Sequence, residues 1–284
     1  MFELLMKPKR AERRPWEMFF IGAIWAIISL ILVTFFSRSD TILRDGAGLL
    51  VVIFTMMSCL PFMYYIIKLE EGKDITIDDS GKLIKEHSKA IRAMMWMFLG
   101  FVVVFSFFYI LFPNLAGQTF NFQIKTFCAI NSPSNYDYCI QQHGVSLVTG
   151  AFSSSDAVIS IFANNIYVLI FTIVFSLAFG AGAIFILIWN ASVIAAAIGI
   201  FARGNIINLP MGLLRYMIHG IPEIAAYFVG ALAGGIISVA VIRRDLHGEG
   251  LWKILQDSLL LVIIAILILA IAALMEVYLT PLLF

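Results

Sequence analysis

His219 and Glu223 stand four residues apart in YMIHGIPEIAAYFVGALAGG, residues Tyr216 to Gly235, where nearly every neighbour is apolar. An imidazole and a carboxylate in such surroundings can form a hydrogen-bonded structural pair, carry a proton or ion, or supply two metal ligands. Ionisable groups at membrane depth are functional candidates by default. A catalytic zinc takes three protein ligands and leaves one position open. His143 and Glu276 are the residues that could complete such a set with His219 and Glu223, although the helical HExxH arrangement is absent. Asn190 is a further polar residue within an apolar run.

The elements that must position these groups follow from composition. Hydrophobic residues make up 61% of the 284 residues and charged residues 13%, against about 25% charged in a soluble domain. Apolar runs long enough to cross about 30 Å of hydrocarbon as helices recur along the chain. The fold class is therefore an all-α polytopic membrane protein. Its spans are predicted at about Met18–Phe36, Leu49–Ile67, Met94–Leu111, Tyr167–Ile188, Ala191–Phe201, Pro222–Ile242 and Leu259–Tyr278, the fifth being short. The basic start Met1–Arg14 resembles a secretory signal, but the long apolar core and the lack of a small-residue cleavage site predict an uncleaved helix.

Fourteen of the nineteen Lys and Arg residues lie in Met1–Trp16, Lys68–Arg92 and Arg243–Lys253. Basic residues in short loops are retained on the cytoplasmic side. Seven crossings then place the amino terminus in the cytoplasm and the carboxyl terminus outside, in a multi-pass protein of the cell membrane. Three regions result: 1–112 with three spans, 113–165 as an extracytoplasmic loop or small cap, and 166–284 with four spans. Cys128 and Cys139 share the outer loop, where a disulfide can persist, with two free thiols as the alternative. Cys59 reads as a small buried hydrophobe. The cytoplasmic loop Lys68–Ala93 resembles a calcium loop at DITIDDSG but lacks its alternating oxygens and closing glutamate, and the loop is expected to be a solvated connector. His87 and His247 are expected to be solvated beside charges, and Trp16, Trp189 and Trp252 to be interfacial anchors.

Pro222 disfavours helix at Ile221 and suits the first position of a new one, which predicts a break between His219 and Glu223. Glu223 would then occupy the first turn, where the helix dipole favours a carboxylate. Tyr227, Gly230, Gly234 and Ser238 continue its face, and GALAG has the small-xxx-small spacing that lets helices approach closely in lipid. Gly180, Gly182, Asn190 and Gly199 supply matching small or polar positions in the fourth and fifth spans. Such seams predict a homodimer. A net charge of +1 gives no argument for nucleic acid as a partner, and no phosphate loop, nucleophile elbow or dinucleotide fingerprint is present.

The stretch from Asn164 to Arg244 carries an Asn ahead of the fourth span, Gly180, Gly182, the Asn190–Ala191 pair, Gly199, the His-Gly-x-x-Glu block and the Gly-rich helix after it. Over roughly residues 164–284 the chain resembles the stage II sporulation protein M family of integral membrane proteins. It departs from the family pattern in having Ala191 where Asn-Gly is common, and three spans before the outer loop where one is usual. In spore formers the family member is a membrane component of an engulfment complex working with cell-wall-degrading enzymes. The resemblance therefore implies a membrane scaffold or complex subunit, with membrane or cell-envelope proteins as partners and no catalytic residues assigned. Two alternatives stay open from the residues: a transporter or channel for a small solute or ion, and an outer-face metal protein, hydrolytic or not, holding zinc at His219 and Glu223.

Overall fold

The computed structural model describes residues 7–37, 40–131, 136–141, 154–179, 183–202, 205–243 and 249–283. The described regular structure is entirely helical. The chain opens with α1 (Pro8–Arg13), α2 (Glu17–Ser37), α3 (Thr41–Asp45), α4 (Ala47–Thr76) and α5 (Ser80–Leu111). Three short helices follow, α6 (Pro113–Thr119), α7 (Asn121–Asn131) and α8 (Tyr136–Gln141). The remainder is α9 (Ser154–Phe179), α10 (Ile184–Ala202), α11 (Leu209–Arg243), α12 (Glu249–Leu274), a π-helical turn (Met275–Leu279) and α13 (Thr280–Leu283). Among the described residues seven helices are long and apolar enough to cross a membrane.

The helix ends have clear local causes. Asp79 caps α5 by accepting from the Lys82 amide at 2.7 Å, and Pro113 starts α6 at a position where its missing N–H costs nothing. α10, at 19 residues, is about 28 Å long at 1.5 Å per residue, enough to cross. Residues with large exposed side chains recur every fourth position along α12, at Leu259, Ile263, Leu267 and Ile271, which marks a lipid-facing stripe.

α11 is the axis of the bundle. Of its most apolar stretch 83% is buried, against 17% for α9, and it packs against α9, α10, α12, α4 and α5. Its core contacts include an edge-to-face pair between Phe98 and Phe228, ring centroids 6.4 Å apart. A side chain on Gly234 would come within 2.8 Å of the Ile173 carbonyl of α9, and one on Gly230 would collide with Leu169. Ser176 of α9 donates to the Ala231 carbonyl across the same seam. The small-residue face of GALAG is thus filled within the chain. α2 and α5 also touch backbone to backbone, since side chains on Gly22 or Gly100 would meet the Met97 or Phe19 carbonyl respectively.

α6 to α8 gather on the side where α2 ends and α9 begins. A disulfide joins Cys128 to Cys139, with Cα atoms 5.8 Å apart. Gln123 of α7 is buried and donates to the Gly48 carbonyl at 3.1 Å and to Ser192 Oγ at 3.2 Å. This ties the short helices to α4 and α10.

Three expectations are corrected. Pro222 does not break the chain: α11 runs from Leu209 to Arg243 with the proline inside, so Glu223 is not in a first turn. A proline removes one backbone bond and costs about 3 kcal/mol in an exposed helix, but membrane helices tolerate it when neighbours enclose the segment. The fourth and fifth spans meet between Phe179 and Ile184 rather than near Trp189, so Trp189 and Asn190 lie inside α10. Two glycines, each about 1 kcal/mol less favourable than alanine in a helix, fall in that gap, and Gly180 and Gly182 themselves lie outside the described residues. Finally, Lys68–Arg92 is no solvated connector, because α4 and α5 extend through it and leave Ile77 to Asp79 as the link.

Gly234→Val is expected to destabilise the protein by about 1–3 kcal/mol through overpacking against α9. Gly72→Ala, where no atom lies within 4 Å of an added Cβ, should instead be neutral or gain up to about 1 kcal/mol. Thermal unfolding in detergent, followed by circular dichroism, measures both.

Candidate functional site

α11 carries His219 and Glu223 on one face, and the unbroken helix brings α9 and the π turn up to that face. Asn165 of α9, buried, donates its amide to Glu223 Oε1 at 2.6 Å. Glu276, in the π turn, lies near enough to act electrostatically on Glu223, and both act on the buried Tyr227 one turn below. Two carboxylates, an amide and a phenol therefore converge inside apolar helices. Such groups persist in lipid only when they face the bundle interior and meet partners.

His219 is held separately. Its Nδ1 lies 3.1 Å from Thr280 Oγ1, and the Thr280 hydroxyl donates to the Met275 carbonyl at 3.2 Å. A hydroxyl has one proton, so when Thr280 gives it to Met275 the Nδ1 of His219 is the donor to the Thr280 oxygen. The wider π turn offers the carbonyl that fixes Thr280 and places Glu276, a device common at functional positions. His219 and Glu223 thus reach different partners although one helix turn apart.

A second ionisable cluster occupies the opposite side, where α4 ends and α5 and α12 begin. Glu70, Lys73 and Asp74 share a face of α4. Lys73 Nζ lies 2.7 Å from Glu12 of α1 and 2.8 Å from Glu70. His87 of α5 places Nδ1 2.8 Å from the other Glu70 oxygen and Nε2 3.4 Å from Asp74. The second contact is within ion-pair reach but lacks hydrogen-bond geometry, and the two Asp74 oxygens have no hydrogen-bond partner. Glu70 and Asp74 are 0% exposed and His87 1%, so the expectation of a solvated His87 is corrected: pairing with carboxylates lets the ring be buried. Asp257 of α12 lies near enough to act on Asp74 and His87. Outside the spans, burial and then the neighbouring Glu70 push the Glu12 carboxyl up to about 7, partly offset by Lys73. Asp78 is held below the ordinary carboxylate range by Lys253, which lies 2.7 Å away and also donates to the Ile77 carbonyl at 3.0 Å.

Other sequence candidates are placed as follows. Asn190 donates to its own helix, to the Ile186 carbonyl at 2.7 Å, and Gly199 gives way to the ring of Tyr109. Cys59 is buried and unbridged. His143 and His247 lie outside the described residues. Among the described residues no three His, Cys, Asp or Glu side chains are gathered as a metal site. The Glu70–His87 cluster was missed because its charge density suggested solvent. The signal that could have found it is the i, i+3, i+4 spacing of Glu70, Lys73 and Asp74, directly continuing an apolar span with no proline between Ile67 and Asp78.

These features define a polytopic helical membrane protein with buried polar clusters on both sides of a close-packed core. The family described as stage II sporulation protein M matches residues 18–281, and the chain belongs to it. The match thus takes in the early spans as well as the region from Asn164 onward. An uncharacterized protein of Methanocaldococcus jannaschii is 34% identical over 127 residues, covering 43% of this chain and 70% of its own length. No solved structure matches.

Removing the cation from the buried cluster with Lys73→Met should cost about 3–5 kcal/mol, as Glu70 and Glu12 lose their counterion. Glu12 adds a pH signature. Its carboxyl ionises near 4.5 when unfolded but near 7 when folded, so the folded chain holds more protons in between. Its contribution is full below the lower value and fades as pH rises to the upper one. Unfolding of the wild type against Glu12→Gln over that range should show the slope disappear in the variant.

Proposed function

We propose that the protein is an integral membrane scaffold, a subunit that presents a rigid helix bundle to membrane or cell-envelope partners. The observation that carries this reading is the enclosure of α11. Between the Glu223 and Glu70 clusters the axis of the molecule is filled by Phe98, Phe101, Phe228, Ile66 and Ile236, all buried, and α9 touches α11 at backbone distance. On α11 itself, Glu223 and His219 are met by Asn165 and Thr280, which suits anchoring better than passage. The clustering of basic residues in Met1–Trp16, Lys68–Arg92 and Arg243–Lys253 supports a cytoplasmic amino terminus.

A second reading, a proton- or solute-coupled transporter, is favoured by one feature: buried carboxylates on both sides of the same helices, with a π turn at one of them. Reconstitution separates the two. A scaffold in liposomes loaded with a pH-sensitive dye should give proton flux equal to that of empty liposomes. Glu223→Gln should leave both this and the size of the complex extracted from native membranes unchanged. Protein-dependent flux that Glu223→Gln abolishes would reject the scaffold in favour of transport.

A further inference from the structure

We propose that His87, Asp74 and Asp257 form a site for one divalent transition-metal ion, zinc being the ion that suits these donors best, where α4 and α5 meet the start of α12. The ring of His87 is already held as a ligand would be. Its Nδ1 lies 2.8 Å from one Glu70 oxygen, while Lys73 donates to the other at 2.8 Å. A carboxylate only accepts, so Nδ1 carries the proton and the neutral ring keeps a lone pair on Nε2. Metal-binding histidines are oriented in this way, the far ring N–H being given to a carboxylate.

The spacing of the next donor matches the same chemistry. Nε2 faces Asp74 Oδ1 at 3.4 Å, and neither atom has a hydrogen-bond partner. Zinc bonds imidazole nitrogen and carboxylate oxygen at about 2.0–2.2 Å, and two such ligands on a tetrahedral centre stand about 3.3–3.6 Å apart. The observed separation is therefore that of two donors on one ion. A nitrogen ligand also selects against magnesium and calcium, which take oxygen.

Asp74 provides an independent pointer. It is 0% exposed, and among the described residues neither of its oxygens finds a hydrogen-bond donor, a strongly unfavourable setting for a carboxylate. The cations closest to the cluster are committed elsewhere, Lys73 to Glu12 and Glu70 and Lys253 to Asp78 and the Ile77 carbonyl. Asp257 of α12 supplies a third donor: its Oδ2 is buried without a partner, and it lies near enough to act on both Asp74 and His87. The three are not gathered within coordinating reach, so Asp257 closes on the ion as it binds and ties the start of α12 to the α4–α5 hairpin.

Equilibrium dialysis of the full, untagged chain in detergent against zinc chloride, after chelator treatment and with metal analysis, tests the site. The wild type should hold one zinc per chain, and excess magnesium should not displace it. Asp74→Asn and His87→Gln should each weaken binding about a hundredfold or more, and Asp257→Asn about tenfold, against the 10–100-fold typical of losing an outer partner. His219→Ala should bind zinc as the wild type does. Without zinc, Asp74→Asn should unfold at the wild-type temperature or above, because it removes an unmet buried charge. A lower temperature would show an ion pair with His87 in place of a metal site. No zinc in the wild type, displacement by magnesium, unchanged affinity in Asp74→Asn or loss of zinc in His219→Ala would each overturn the assignment. If His87→Gln fails to fold, the near-isosteric Asp74→Asn decides alone.

Discussion

Desolvation of α11 is the constraint on which the architecture turns. A helix enclosed on nearly every side has no water to satisfy its polar side chains, and an unmet group in that setting costs several kcal/mol. Each polar residue on it must therefore find a partner from another helix. Glu223 takes the amide of Asn165 and His219 takes Thr280. Those partners lie 58 and 61 positions away, so satisfying α11 fixes where α9 and α13 must stand. The close approach at Gly234 is the apolar counterpart of the same demand, because backbone contact leaves no gap at the seam.

The opposite side solves a related problem with charge rather than neutral hydrogen bonds. Lys73 serves two carboxylates from different helices, Glu12 and Glu70, and His87 bridges Glu70 to a third, Asp74. Buried ion pairs contribute little net stability, since desolvation offsets much of the attraction, but losing one partner is costly. The arrangement therefore specifies one relative placement of α1, α4 and α5. A bundle locked in this way at one side and by side-chain hydrogen bonds at the other suits a molecule whose shape is its output.

How much of this was legible in the sequence depended on the range of the interaction involved. The spans were readable because the length of apolar sequence needed to cross a bilayer is a local property, and Phe179 to Ile184 was misjudged only because hydropathy does not fall at a glycine pair. Pro222 misled for the converse reason: its local preference is real, but helices packed around α11 decide the outcome. Glu223 stood out as a lone acid in apolar surroundings. Its partner Asn165 and the burial of His87 did not, since each depends on a residue far along the chain. Charge density around Glu70 suggested solvent because sequence alone does not distinguish a charge that is wet from one that is neutralised.

The clasp formed by Lys253 on Ile77 and Asp78 joins the beginning of the last long helix to the hairpin between the second and third. Their separation of 175 residues from Asp78 means that the hairpin tip is synthesised long before its fastener emerges from the ribosome. At rates of about 5–20 residues per second, the α4–α5 turn waits roughly 9 to 35 seconds with its carbonyl and carboxylate open to other donors. An early corner of the bundle thus waits for a late residue before it can close.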